Sequence, residues 1–367
     1  MKSGLSRLWI LSLAGLLSTA AAAQPPLDEI RQLLRAGLMP APEMAQLAEL
    51  SEQNLADQLL QLDPYARYFE PEQGYLTLPE TVERAGIGAE ILMQQDEILL
   101  LPYQGAVAER AGVPYRSRLL AVDQQPVASD SLQQLASRLR GPEGSWVSLL
   151  VETTKGERVE FRFLREIYRP LHVELLQGEQ RIIRIRDFIT SMTVPSLRAT
   201  VEFITQSPQA DHVPPIIIDL RDSTGGELFE ALDLAAAFLP AGTELVTLVD
   251  REGEVQRFHA PQGSKYAHPL FILIGPYTAS AAEIFAGILQ TQGRAVVMGE
   301  LSFGKCSSQT QVRLSNQAML RYTNREVLLP GGIACTGAGI TPDVSVSDSQ
   351  LNDAGYLVDL INEWTQQ

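Results

Sequence analysis

Hydrophobic positions along the chain fall into three regimes. From Leu27 to Leu62 apolar residues recur at helical spacing, as at Ile30, Leu33, Leu34 and Leu38, and the period predicts short amphipathic helices. The stretch LDPYARYFEPEQ, Leu62 to Gln73, breaks that period with two prolines and three aromatic residues, and reads as an ordered connector. Between Gly86 and Phe163 come short alternating or apolar runs (IGAEILM, EILLL, SRLLAVD, WVSLLVET, VEFRFL) separated by Gly, Pro and Gln-Gln turns. With a single helical stretch, SLQQLASRLR, they predict a compact β-rich module. From Ile167 onward helices alternate with the apolar strands PPIIIDL, PLFILIG and AVVMG, introduced by RIIRIRDFI. Strands apolar on both faces belong in a sheet covered by helices, so the third regime predicts an α/β core. An amphipathic helix from Leu351 to Trp364 closes the chain, which carries no internal repeat or low-complexity tract.

Composition narrows the class. The chain has 367 residues, 45% hydrophobic and 20% charged, as expected of a globular protein of two or three domains. Its net charge of −15 argues against binding a phosphate backbone through clustered basic residues, so nucleic acid is excluded as a partner. Lys2 and Arg7 precede the apolar run WILSLAGLL, which gives way to small residues before Gln24. This reads as a signal peptide over residues 1–23, since the run from Leu8 to Leu17 is half the ~20 residues needed to span a bilayer. The expected product is exported, in a periplasm-like oxidising compartment, with no stable membrane span after cleavage. Two cysteines rule out a disulfide scaffold and leave room for one bridge, and neither stands in a metal-binding pattern.

Three segments of the third regime can carry chemistry. In PLFILIGPYTASAAEIFAGILQ an apolar strand ends at Gly275, and Ser280 stands where a helix with Ile284, Phe285, Ile288 and Leu289 on one face begins. Partial positive charge at a helix N-terminus favours an alkoxide and the oxyanion formed after attack. Ser280 and Glu283 also match the S-x-x-E capping box, which explains them without catalysis. None of the four histidines, His172, His212, His259 and His268, lies in a triad motif, and no GxSxG elbow is present. Lys305 follows Ser280 by 25 residues in a glycine-flanked turn. A lysine of ordinary pKa is neutral about once in 2,500 molecules at pH 7, so a catalytic role requires burial to lower it by ~3 units. Otherwise Lys305 is a solvated surface residue. In PPIIIDLRDSTGGELFEA the twin glycines Gly225 and Gly226 follow a strand, where backbone N–H groups either bind an oxyanion or merely turn the chain.

The order of these pieces (DLR with twin glycines, then TASAAE, then FGK) resembles the C-terminal processing peptidases, or tail-specific proteases, a family of Ser/Lys hydrolases. Upstream LDPYARYFEP and downstream GAGITPDV, residues 337–344, resemble the family's flanking motifs. The resemblance implies a crotonase/ClpP-like α/β core over 167–348 with an inserted PDZ domain over 81–166. It further implies a helical N-terminal region over 24–80 and a terminal helix over 349–367. It implies Ser280 as nucleophile, Lys305 as general base, Gln309 as the side chain orienting that lysine, and Gly225 or Gly226 with Ala281 as oxyanion hole. Glu283 keeps a structural role. RAGIGAEI resembles the PDZ carboxylate loop, where Ile87, Gly88 and Ala89 would bind a peptide C-terminus. The implied function is an exported endopeptidase acting near protein or peptide C-termini, with no metal or nucleotide cofactor and with a homo-oligomer or adaptor as conceivable partners. A binding or scaffold protein of the same fold is the alternative.

Some positions depart from the family. Asp222, Ser223 and Thr224 stand where it usually has Asn-Asn-Pro or Asn-Asn-Gly; Ser302 replaces a Thr and Thr291 an Asp. In the module, Arg116-Ser117 replaces Gly-Asp and Asp123-Gln124 replaces Asp-Gly. Cys306 replaces the glycine after the lysine, and the second cysteine, Cys335, leads into the closing motif. A bridge between them and a pair of buried free thiols are equally open at this level.

Overall fold

The computed structural model describes residues 24–70, 84–94, 97–128, 130, 132–176, 181–205, 215–264 and 266–365; the leader expected over 1–23 and His212 lie outside them. Helices α1 (Leu27–Gly37), α2 (Met44–Ala48) and α3 (Leu55–Leu62) form the N-terminal region. Their apolar stripe, Ile30, Leu34, Leu38, Leu47, Leu50, Leu55 and Leu59, is buried together with Leu314, Leu320 and Tyr322 of the third region. These helices therefore share a core with the C-terminal half. The connector continues as β1 (Arg67–Phe69), which pairs antiparallel with a distant strand, Arg67 opposite Arg321 and Phe69 opposite Met319. Buried Asp63 fixes the approach, accepting hydrogen bonds from the N–H of Tyr65 (2.9 Å) and of Thr323 (2.7 Å).

The module comprises β2 (Arg84–Gly86), β3 (Ala89–Gln94), β4 (Glu97–Pro102), α4 (Val107–Arg110), β5 (Ser117–Val122), β6 (Gln125–Pro126), α5 (Leu132–Leu139), β7 (Trp146–Glu152), β8 (Arg158–Leu164) and β9 (Glu166–Tyr168). Strands β3, β4, β5, β7 and β8 form one antiparallel sheet in that order, with β6 on β5. The period-2 pattern sets its inner face: Val147, Leu149 and Val151 of β7 are buried against Leu119, Val122 and Leu135. Strands β2 and β9 pair antiparallel where the chain enters and leaves the module, so β9 straddles the boundary expected between residues 166 and 167.

The third region contains β10 (Val173–Leu176), β11 (Ile182–Ile185), α6 (Thr193–Thr205), β12 (Ile216–Asp219), α7 (Leu228–Ala236), β13 (Glu244–Asp250), β14 (Val255–His259), β15 (Leu270–Ile274), α8 (Ala281–Thr291), β16 (Val296–Gly299), β17 (Ser307–Arg313), β18 (Met319–Leu329), β19 (Ile333–Ala334), β20 (Val344–Ser345), α9 (Asp348–Leu351) and α10 (Ala354–Thr365). One sheet runs β10-β11-β12-β15-β16-β20, parallel from β11 onward. Its central strands, β12 up to Asp219, β15 and β16, are apolar because both faces are covered. Ile216, Ile218, Ile272 and Ile274 meet α7 and α8, while Ile217, Phe271, Leu273 and Met298 meet Leu357 and Ile361 of α10. A second, antiparallel sheet runs β1-β18-β13-β14 with β17 and β19 on β18. Helix α8, buried from Ala281 to Leu289, shares a core with both sheets, Val327 and Leu329 of β18 included. No described helix is long and apolar enough to cross a membrane.

Polar contacts join the module to the α/β region. Arg116 forms ion pairs with Asp222 and Asp348, each at 2.5 Å, and the Tyr115 hydroxyl donates to Asp222 at 3.0 Å. Arg186 donates to the carbonyl oxygens of Leu101 (3.3 Å) and Pro102 (2.7 Å), capping the end of β4.

Candidate active site

Strand β12 ends in Asp219, and the turn after it carries the twin glycines. Burial alone would raise the Asp219 carboxyl, but the Arg221 and Arg184 guanidiniums outweigh it and hold the group below the usual carboxylate range. Arg221 in turn reaches Asp348 and Asn352, so the DLR segment is clamped between the sheet and α9. The chain then passes Gly225 (φ +97°) and Gly226 (φ +141°), conformations that L side chains rarely adopt. A Cβ on Gly225 would lie 2.6 Å from Ala279 O and 2.8 Å from both Ala281 N and Ser280 Cβ, so only glycine lets this loop touch the serine. Phe188 N–H donates to Gly225 O (2.9 Å) and Glu227 N–H to Phe188 O (2.8 Å), which fixes the loop from the other side. The N–H groups of Gly225, Gly226 and Ala281 have no acceptor among the described residues.

Ser280 is the N-cap of α8 and has φ 57°, ψ −123°, a strained conformation for a residue with a side chain. Its N–H donates to Glu283 Oε2 at 2.9 Å, one half of a capping box; the return contact, from Glu283 N–H to the Ser280 hydroxyl oxygen, is loose and falls short of a full hydrogen bond. Glu283, fully buried, also accepts from the Ser302 hydroxyl (2.6 Å) and from the N–H groups of Gly304 (2.6 Å) and Lys305 (2.8 Å). One carboxylate thus ties the backbone of the serine to that of the lysine, a wider role than the helix cap legible in the sequence. The signal for it was Glu283 together with Ser302, but their contact depends on the fold.

Ser280 and Lys305 line one cavity of about 790 Å³, with Thr224 to Phe229, Asp187 to Ile189, Gln309, Asn324 and Arg321 around them. Burial, followed by the Arg321 charge, pushes Lys305 down to about 8, while Asp63 and Glu283 pull the other way. Its ammonium lies 4.7 Å above the centre of the Tyr65 ring. No hydrogen bond joins Lys305 Nζ to Ser280 among the described residues. The Gln309 amide donates to Ser307 O (2.9 Å) and Ser307 Oγ (3.0 Å), and its described hydrogen bonds do not include Lys305. Among the described residues no histidine lines the cavity; His172 pairs with Asp187, at 2.5 Å, and that hydrogen bond raises its pKa.

Cys306 and Cys335 form a disulfide with Cα atoms 5.4 Å apart, both side chains buried. The bond joins the lysine turn to the loop before the closing motif, where Gly337 N–H also donates to Gly304 O at 2.8 Å. Asp222 and Arg116, two separate departures in the sequence, are partners here: the acid beside the glycine loop faces the module. Their opposite charges were the available signal, although nothing in the sequence places residues 116 and 222 together. Ile87, Gly88 and Ala89 lie at the start of β3, on the module and apart from the serine cavity.

Comparison with known proteins places the chain in a family. Residues 182–346 match peptidase family S41. The chain is 30% identical over 303 residues to a carboxy-terminal-processing protease of Bartonella bacilliformis, covering 81% of this chain and 70% of that protein. It is 31% identical over 302 residues to a carboxyl-terminal-processing protease of Picosynechococcus, covering 80% and 72%. Among solved structures, the photosystem II D1 C-terminal processing protease superposes with a TM-score of 0.62 at 23% identity, over 87% of this chain and 92% of that one. A putative S41 protease from Bacteroides fragilis superposes with a TM-score of 0.60 at 15% identity, over 92% and 97%. At those identities the structures speak for the α/β fold alone; the sequence matches speak for the family. The chain belongs to peptidase family S41 and is a serine peptidase of the carboxy-terminal-processing kind.

Proposed function

We propose that Ser280 is the nucleophile and Lys305 its general base, in an enzyme that captures a polypeptide by its C-terminus and cleaves near that end. The observation that carries this reading is the convergence on one cavity of three features: a strained N-cap serine, unpaired N–H groups around it, and a lysine lowered to about 8. In the reaction the Ser280 hydroxyl attacks the scissile carbonyl while its proton passes to Lys305 Nζ. The N–H groups of Ala281 and of Gly225 or Gly226 stabilise the oxyanion. The ammonium then returns the proton to the leaving amine, and water activated by the same lysine hydrolyses the acyl-enzyme. Lys305 swings from the Tyr65 ring toward Ser280 for the first step, and Gln309 leaves Ser307 to orient it there.

The surrounding architecture reads as a crotonase/ClpP-like core with an inserted PDZ domain. Strand β3 ends its sheet and offers an edge for an added peptide strand. Gly88, at φ +64°, turns the preceding loop where a Cβ would lie 2.3 Å from Ala106 Cβ. Ile87, Gly88 and Ala89 are then the receptor for the substrate carboxylate. A periplasmic or otherwise oxidising location accords with the leader-like residues 1–23 and with the disulfide.

The test is degradation of an unfolded reporter bearing an apolar C-terminal tail. Wild type should cleave it, and Ser280→Ala and Lys305→Ala should each reduce turnover by ~10⁴ or more while retaining the fold. A wild type that binds the tail yet neither cleaves it nor reacts with an acylating probe would overturn the assignment in favour of a scaffold protein.

A further inference from the structure

The groups around Lys305 come from segments outside the catalytic motifs. Pairing of β1 with β18 sets Arg67 opposite Arg321, and the turn before β1 places the Tyr65 ring beneath the lysine ammonium at 4.7 Å. Arg321 lines the same cavity as Ser280 and Lys305, with its guanidinium 5.3 Å from the centre of the Phe69 ring. Its Nε is buried without a hydrogen-bond partner, and it has no ion pair among the described residues. In a chain of net charge −15, a cation left without a carboxylate beside a second cation is an arrangement that local electrostatics alone would not favour. The nearby carboxylates are committed elsewhere: Asp63 accepts from two backbone N–H groups, and Glu283 from three together with the Ser302 hydroxyl.

We propose that Arg321 and Tyr65 are positioning residues that set the protonation of Lys305 from opposite directions, the Arg321 guanidinium disfavouring the ammonium and the Tyr65 ring face favouring it. The inference rests on the reading of Lys305 as general base. The charged and titratable groups acting on the amine are Asp63, Tyr65 and Arg67 from the connector, Glu283 from α8 and Arg321 from β18. Asp63 and Glu283 oppose the two arginines, and a cation over an aromatic face is stabilised as a cation. The N-terminal region thus contributes to the catalytic centre, because the connector delivers both Tyr65 and the strand that faces Arg321.

The experiment is the pH profile of kcat/KM on the tailed reporter, read as the midpoint of its acidic limb so that plateau height does not enter. Removing the repulsion in Arg321→Gln should move the midpoint up by about half to one unit, which is about three- to tenfold less activity at pH 7 relative to the variant's own plateau. Arg321→Lys should restore the wild-type midpoint. Tyr65→Leu should move it down, whereas Tyr65→Phe should leave it in place. Unmoved midpoints in Arg321→Gln and Tyr65→Leu, in protein that still labels at Ser280, would overturn the inference. Wild-type turnover and an unchanged profile in Lys305→Ala would instead overturn the base assignment itself.

Discussion

The two sides of the cavity are built by different means. On the serine side, position is written into the backbone: a left-handed glycine, a strained N-cap and a helix buried along its length. On the lysine side, a long side chain takes its properties from charges and a ring supplied by the connector and β18. Backbone geometry leaves little room for a second arrangement, whereas a lysine in an electrostatic balance can change rotamer and proton state without unfolding anything. The serine side is therefore the rigid template, and the lysine side is where pH and sequence variation act.

The largest effect should follow from breaking the template. In Gly225→Ala the new methyl would contact Ala279 O, Ala281 N and Ser280 Cβ at once, at a φ that disfavours alanine. Turnover should fall by ~10²–10³, the loss typical of a damaged oxyanion hole. Stability should fall by ~1–3 kcal/mol from the forced φ. The measurement is kcat beside a urea melt; a folded variant with kcat within threefold of wild type would show that this loop does not shape the site.

Glu283→Gln tests the tie between the sides. The amide keeps the shape but loses the charge that four donors now share, and its NH₂ meets N–H groups it cannot accept from. The expected cost is ~2–4 kcal/mol of stability. Turnover should drop about tenfold more than acylation of Ser280 by a small probe, because the lysine turn loosens while the serine stays on its helix. Equal losses in both assays would place Glu283 with the serine alone.

How much of this was legible in the sequence follows the same division. Ser280, Gly225, Gly226 and Ala281 could be named because a strand, a glycine turn and a helix start leave local marks. The apolar strands gave the covered sheet because each residue of PPIIIDL meets one of two buried layers. Tyr65 and Arg321 had no such mark: their relation to Lys305 exists only because β1 pairs with β18, a contact between opposite ends of the chain. The same holds for Arg116 and Asp222, each visible as a departure and neither pointing to the other. Gln309 shows the converse, a motif position whose amide here serves Ser307.

The Arg116–Asp222 pair extends the comparison to the module. Both side chains are largely buried, so removing one partner strands the other's charge. Arg116→Ala should cost ~3–5 kcal/mol or release the module from the α/β region, and Arg116→Ala with Asp222→Asn should recover part of it, with a coupling of ~1–3 kcal/mol. Limited proteolysis at residues adjoining β2 and β9 reads the docking separately from the melt. Additive losses would mean that the pair is incidental to how the module sits.

The smallest effect concerns Lys305 itself. In the folded protein Lys305 titrates at about 8, below its ordinary 10.5, so between those values the unfolded chain binds more protons than the folded one. Stability attributable to this group therefore rises with pH across the window from about 8 to 10.5, and the penalty for burying the ammonium is present in full below pH 8. Lys305→Met removes the penalty while keeping most of the side chain's packing. The variant should melt a few degrees above wild type at pH 7, and this difference should shrink toward zero as pH passes 10.5, above which Lys305 is uncharged in the folded and the unfolded chain alike. A constant difference at the two pH values would mean that the methionine simply packs better. A variant less stable than wild type at pH 7 would mean that the Tyr65 ring, Asp63 and Glu283 outweigh burial and the arginines, which reverses the balance on the lysine side.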